Sequence, residues 1–69
     1  MPLTMVNSGE IKFIRKIGGK AEIRQFLEKL GFIVGSEIRV VSTIGGNLIV
    51  QVKESRVAIS KEMAVKIMV

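Results

Sequence analysis

Glu37-Ile38-Arg39-Val40-Val41-Ser42, followed through Thr43-Ile44 and Gly45-Gly46 by Asn47-Leu48-Ile49-Val50-Gln51-Val52, decides the architecture. Ile38 and Val40 alternate with Glu37 and Arg39, and Leu48, Val50 and Val52 share one face of the second run. A period of two belongs to half-buried strands, because successive side chains of an extended chain point to opposite faces. Between the runs, Gly45-Gly46-Asn47 supplies residues that tolerate the positive φ of a tight hairpin turn. The stretch therefore reads as a hairpin of two strands, Glu37 to Ser42 and Asn47 to Val52.

Downstream, Lys53-Glu54-Ser55 makes a second tight connection, and Arg56 to Ile59 reads as another strand with Val57 and Ile59 inward. Ser60 is placed to cap a single helical turn through Lys61, Glu62, Met63 and Ala64. Lys66 to Val69 closes the chain, with Ile67 and Val69 on one face. Upstream of Gly35-Ser36 the period changes to 3.6. Ile23, Phe26, Leu27 and Leu30 fall at i, i+3, i+4 and i+7 of a helix over Lys20–Leu30. Glu22 in its first turn and Lys29 in its last suit the helix dipole. Gly31 stands where a left-handed residue ends a helix, and Phe32 is set to fold back on Leu27.

Before the helix, the Asn7-Ser8-Gly9 turn launches a strand over about Glu10 to Ile17. Ile11, Phe13 and Ile17 are read as its core face with Lys12 and Lys16 opposite, while Ile14 and Arg15 break the alternation, as a bulge or two-sided burial would. Five short strands and one helix after the first strand give a mainly β domain. A meander this short keeps two open edges unless it curls on itself. Pairing the closing strand with the first strand removes them, so the expected fold is a small SH3-like barrel with the helix across one open end.

Composition narrows the function. The 69 residues are 48% hydrophobic, with nine Val and ten Ile, too apolar for a disordered tail and biased toward strands. The chain has no Cys, His, Trp, Tyr or Asp, so disulfides, thiolate or imidazole metal sites and the usual nucleophile–base sets are excluded, and an enzyme is not expected. The formal net charge of +5 suits an anionic neighbour but is no more than solubility asks, and the basic residues are spread along the chain among glutamates. No run approaches the ~18 consecutive apolar residues of a membrane helix, and the first residues, lacking Lys or Arg, do not read as a signal peptide. A cytoplasmic location is the expectation.

The candidate sites are few. Gly18-Gly19-Lys20 lacks the spacing of a phosphate loop and reads as a strand-to-helix turn. Glu22, Glu28, Glu54 and Glu62 are dispersed; of the methionines, Met1 and Met5 are read as near a mobile end, and Met63 and Met68 as core or partner contacts. No metal ligands and no cofactor are expected. Phe13, Phe26 and Phe32, the only aromatics, all take core slots, which leaves no exposed ring for base stacking. Ile14, Val41, Ile49 and Met68 lie off the main apolar rows, as a second buried face or as an exposed patch.

The order of these turn and packing signals resembles the ferrous iron transport protein A (FeoA) family over essentially the whole chain. Pro2-Leu3 and Gly9-Glu10, Gly18-Gly19, Leu30-Gly31-Phe32 and Gly35-Ser36-Glu37-Ile38 carry the resemblance, with Arg56-Val57-Ala58-Ile59, Glu62-Met63-Ala64 and Ile67 at the end. Val34 stands where the family commonly has Pro, and Ile44-Gly45-Gly46-Asn47 replaces a Leu-Gly-Asp-Pro-like turn. The resemblance implies an SH3-like barrel that assists bacterial ferrous iron uptake. Its implied partner is the permease with a GTP-binding domain, ferrous iron transport protein B (FeoB). The same fold closes iron-dependent repressors, so a nucleic-acid-binding barrel or a detached repressor C-terminal domain is the alternative. The contact surface is expected on the helix and the turn after it: Leu30 and Phe32 as the apolar centre, Arg24 and Lys29 as the basic rim.

The Gly31 reading has a direct consequence for stability. A β-branched residue at positive φ is strained, so Gly31→Val should destabilise by ~1–3 kcal/mol. A thermal melt checks this, and a midpoint equal to that of the parent would show that Gly31 is no left-handed cap.

Overall fold

The alternating stretch forms the centre of the molecule. In the computed structural model, which describes residues 1–69, β3 (Glu37–Ile44) and β4 (Asn47–Val52) pair antiparallel around the two-residue turn Gly45-Gly46. Their inward rows pair Ile38 with Val52 and Val40 with Val50, and all four side chains are buried. Past Val40 the register shifts, so that Ser42 faces Ile49 and Val41 is the extra residue of a bulge. β5 (Ser55–Ser60) continues the antiparallel meander, with Val57 opposite Val50 and Ile59 opposite Leu48. Both β3 and β5 outrun their sequence bounds by two residues, because pairing carries the residues that flank the turns into the ladder.

The first strand is divided. Its front half, β1 (Ile11–Phe13), pairs with β3, which makes a four-stranded sheet in the order β1-β3-β4-β5. Its back half, β2 (Lys16–Ile17), pairs with β6 (Ile67–Met68) in a separate two-stranded sheet. The closing strand thus does pair with the first, as an SH3-like closure requires. The division also corrects the reading of the strand's faces. Lys12 lies opposite Ile38, on the inward side, while Ile11 lies opposite Arg39 and Phe13 opposite Glu37, on the outward side. Phe13 is 61% exposed, and Ile14 is 1% exposed. The buried residues are Ile14 and Ile17, three apart, because the chain turns between the two sheets and resets the alternation there.

Helix α1 (Ala21–Leu30) starts one residue later than the periodicity predicts, with Lys20 as its cap residue. It ends as read. Gly31 has φ 106°, its N–H donates to the Glu28 carbonyl at 3.0 Å, and the Phe32 N–H donates to the Leu27 carbonyl at 3.0 Å, a Schellman pair. A Cβ on Gly31 would meet Val52 at an ordinary 3.5 Å, so the penalty of a larger residue is conformational rather than steric. Leu27 is buried, Ile23 and Leu30 pack partly against the core, and Phe32 is fully buried behind them. Phe26 departs from the expectation and stays 51% exposed. It sits about 100° round the helix from Leu27, at the edge of the arc that Ile23, Leu27 and Leu30 lay on the barrel, where nothing covers it.

The remaining pieces close the ends. The Ser60 hydroxyl accepts from the Met63 N–H at 3.3 Å and caps α2 (Lys61–Ala64), as read. A 3₁₀ turn over Leu3–Met5 buries Leu3, and Val6 joins it. The Val69 N–H donates to the Met1 carbonyl at 2.8 Å, and Pro2 bridges Met68, so the stretch read as a mobile end is tied to the closing strand. The core consists of 15 residues, every one apolar. Lys53, at the turn between β4 and β5, is the only non-glycine residue with positive φ, 55°, a conformation that costs of order 1 kcal/mol for an L-residue.

The divided strand makes neighbouring residues unequal. Ile14→Ala should cost ~2–4 kcal/mol through lost burial and the cavity left behind, whereas Phe13→Ala should stay within ~0.5 kcal/mol of the parent. Chemical denaturation of both variants checks this, and a Phe13 penalty equal to that of Ile14 would contradict the assigned register.

Candidate functional site

With no polar or charged residue in the core, whatever this domain does chemically it does at its surface. Two surfaces combine apolar and charged side chains. The first is the helix and the turn beyond it, where the sequence placed a contact patch. Arg24 and Lys29 are both exposed, but they are five residues apart and so about 140° apart around α1. They do not rim one centre. Leu30 is half-buried with its packing toward the core, and Phe32, at 0% exposure, presents nothing to a partner. Phe32 is therefore withdrawn as a contact residue, because the Schellman turn folds it inward. What the helix side does expose is Phe26 together with Ile33 and Val34 of the following turn, and a shallow hollow lined by Gln25, Glu28, Lys29 and Ile33.

The second surface is the outward face of the four-stranded sheet. Its register sets one continuous row across all four strands: Ile11 opposite Arg39, Arg39 opposite Gln51, and Gln51 opposite Arg56. Phe13, opposite Glu37, begins the next row. A shallow groove runs here between Ile11, Ser36, Glu37, Arg39, Gln51 and Lys53. The single ion pair of the molecule, Lys12 Nζ to Glu10 Oε2 at 3.8 Å, lies elsewhere, so Arg39, Lys53 and Arg56 carry unpaired charge. Their side chains make no hydrogen bonds either.

Sequence reading missed this surface because it sent Ile11 and Phe13 inward. The signal that could have found it was the Ile14-Arg15 break, which allows a second phase of alternation with Ile14 and Ile17 inside. No three His, Cys, Asp or Glu side chains come together in a metal-binding group. No helix is long and apolar enough to cross a membrane.

Fold and surface together define a small SH3-like β-barrel with apolar and charged side chains exposed on one face of its larger sheet. Comparison with known proteins gives the family. The FeoA domain model matches residues 1–69, and the chain belongs to that family. A protein of Methanocaldococcus jannaschii described as an Fe(2+) transport protein A is 34% identical over 68 residues, covering 99% of this chain and 83% of its own. The crystal structure of an iron uptake regulatory protein, FeoA, superposes with a TM-score of 0.87 at 30% identity, over 96% of this chain and 88% of that one. Stenotrophomonas maltophilia FeoA complexed with zinc, described as a unique prokaryotic SH3 domain protein, has a TM-score of 0.81 at 26% identity, over 99% and 87%.

The distribution of donors predicts how the isolated chain treats the family's metal. Hard divalent cations need several convergent oxygens, and here the glutamates are separated. Anaerobic calorimetry with ferrous iron should give no stoichiometric micromolar binding; a one-to-one isotherm in that range would overturn this.

Proposed function

We propose that the protein is an accessory of ferrous iron uptake that acts on the cytoplasmic side by binding the FeoB-type permease, without catalysing a reaction and without holding the iron itself. The observation that carries this reading is the family match along residues 1–69. The surface supports it. Large apolar side chains stay exposed beside unpaired cations, the composition expected of a docking face with a polar rim. A basic domain beside a membrane protein also gains from the anionic inner leaflet, which favours residence near the permease.

The test is binding of the tagged chain to full-length permease in nanodiscs, run beside single-stranded and duplex oligonucleotides over a range of salt. The expected result is saturable binding to the permease that persists at moderate salt, with only weak, steeply salt-dependent attraction to nucleic acid. Tight sequence-dependent oligonucleotide binding without permease binding would support the repressor-like alternative instead.

A further inference from the structure

We infer that the outward face of the four-stranded β1-β3-β4-β5 sheet, and not the helix, is the docking surface, and that its occupant is an extended acidic segment of a partner protein carrying an apolar side chain. This inference rests on the reading that the protein acts by protein contact, and it deepens that reading by naming the face and the chemistry of the partner.

Three observations converge on the face. Ile11 and Phe13 are 48% and 61% exposed on the same side of an edge strand, where nothing in the fold covers them. The row from Ile11 through Arg39 and Gln51 to Arg56 sets an apolar group at one end and two unpaired cations along it. Lys53 lines the same groove and holds a backbone conformation that glycine or asparagine would adopt more easily, so its place there is not explained by the turn.

The spacing selects the ligand. Neighbouring strands lie ~4.8 Å apart, so the row spans about 14 Å from β1 to β5. A single phosphate or metal ion cannot touch both ends of such a row. An extended peptide rises ~3.3 Å per residue, so four or five residues cross it. Carboxylates of such a segment would meet Arg39, Lys53 and Arg56, and its apolar side chain would seat on Ile11 and Phe13. Glu37, directly opposite Phe13, repels any anion at that end of the row, so the carboxylates fall toward Arg39, Lys53 and Arg56 and the apolar side chain toward Phe13. A nucleic acid, charged at every residue, cannot sort itself so, and no second ring lies on this face to stack a base. A protein segment fits these charges better than a nucleic acid strand.

The experiment compares the full chain with two sets of variants against full-length permease in nanodiscs. One set is Phe13→Ser, Arg39→Ala and Lys53→Gly, singly and combined; the other is Arg24→Glu with Lys29→Glu. Circular dichroism melts run in parallel, and Lys53→Gly should melt at or above the parent temperature because it relieves the strained turn. The combined sheet variant should bind at least about tenfold more weakly and lose most of the salt dependence, while the helix variant binds as the parent does. Sheet variants that fold and bind as the parent does, or a helix variant that alone loses binding, overturn the inference and leave the permease reading standing.

If the parent chain does not bind the permease, that reading fails, and a displayed random-peptide library selected on the full chain decides the inference separately. An acidic consensus with an aromatic or aliphatic residue, lost on the sheet variants, supports it. A library without such a consensus, or single-stranded oligonucleotide binding that depends on Phe13, overturns it.

Discussion

One residue joins the two halves of this barrel. The Ile14 N–H donates to the Ser36 carbonyl and its carbonyl accepts from the Gly35 N–H, and one residue later the Arg15 N–H donates to the Met68 carbonyl. Between adjacent residues the chain leaves the four-stranded sheet and enters the two-stranded one. A two-stranded pair of this length is not stable alone, so β2 and β6 exist because the crossing point anchors them to the meander. Burial of the Ile14 side chain holds the crossing in place. The rest of the fold is arranged around that transfer.

Its consequences reach the surface. Because the crossing commits Ile14 and Ile17 to the interior, the residues before it are left in the opposite phase, and Ile11 and Phe13 emerge on the outer face of the sheet. The exposed apolar groups are therefore a product of closure itself. They lie where the register also lines up Arg39, Gln51 and Arg56. In a small domain with a wholly apolar core, such a face is where specificity can reside, since nothing inside carries a polar group to offer.

The helix plays a structural part in this arrangement. Leu27, Ile23 and Leu30 lay it against the barrel, and the turn at Gly31 drives Phe32 into the core as one of its largest buried side chains. Apart from Phe26, the helix presents its polar arc to solvent. Its charges are solvated individually, with Arg24 and Lys29 on well-separated sides, and exposed charges of that kind contribute little to stability. Membership of the FeoA family accords with a domain whose stability and surface chemistry are kept in separate places.

Local signals were legible in the sequence wherever the determining interaction lies within a few residues. The helix with its left-handed Gly31 end, the Gly45-Gly46 hairpin, the bounds of β4 and the Ser60 cap all follow from periodicity, turn chemistry and backbone capping. The need of a short meander to close its edges made the SH3-like barrel and the pairing of the closing strand with the first legible too. What the tertiary structure alone decided was the phase of the first strand, and with it the fate of Ile11, Phe13 and Ile14. A three-residue edge strand has no internal means of choosing a face, since its register comes from β3, more than twenty residues away in sequence. Burial of Leu3 and exposure of Phe26 likewise depend on which remote elements arrive to cover them, and periodicity within one segment cannot report that.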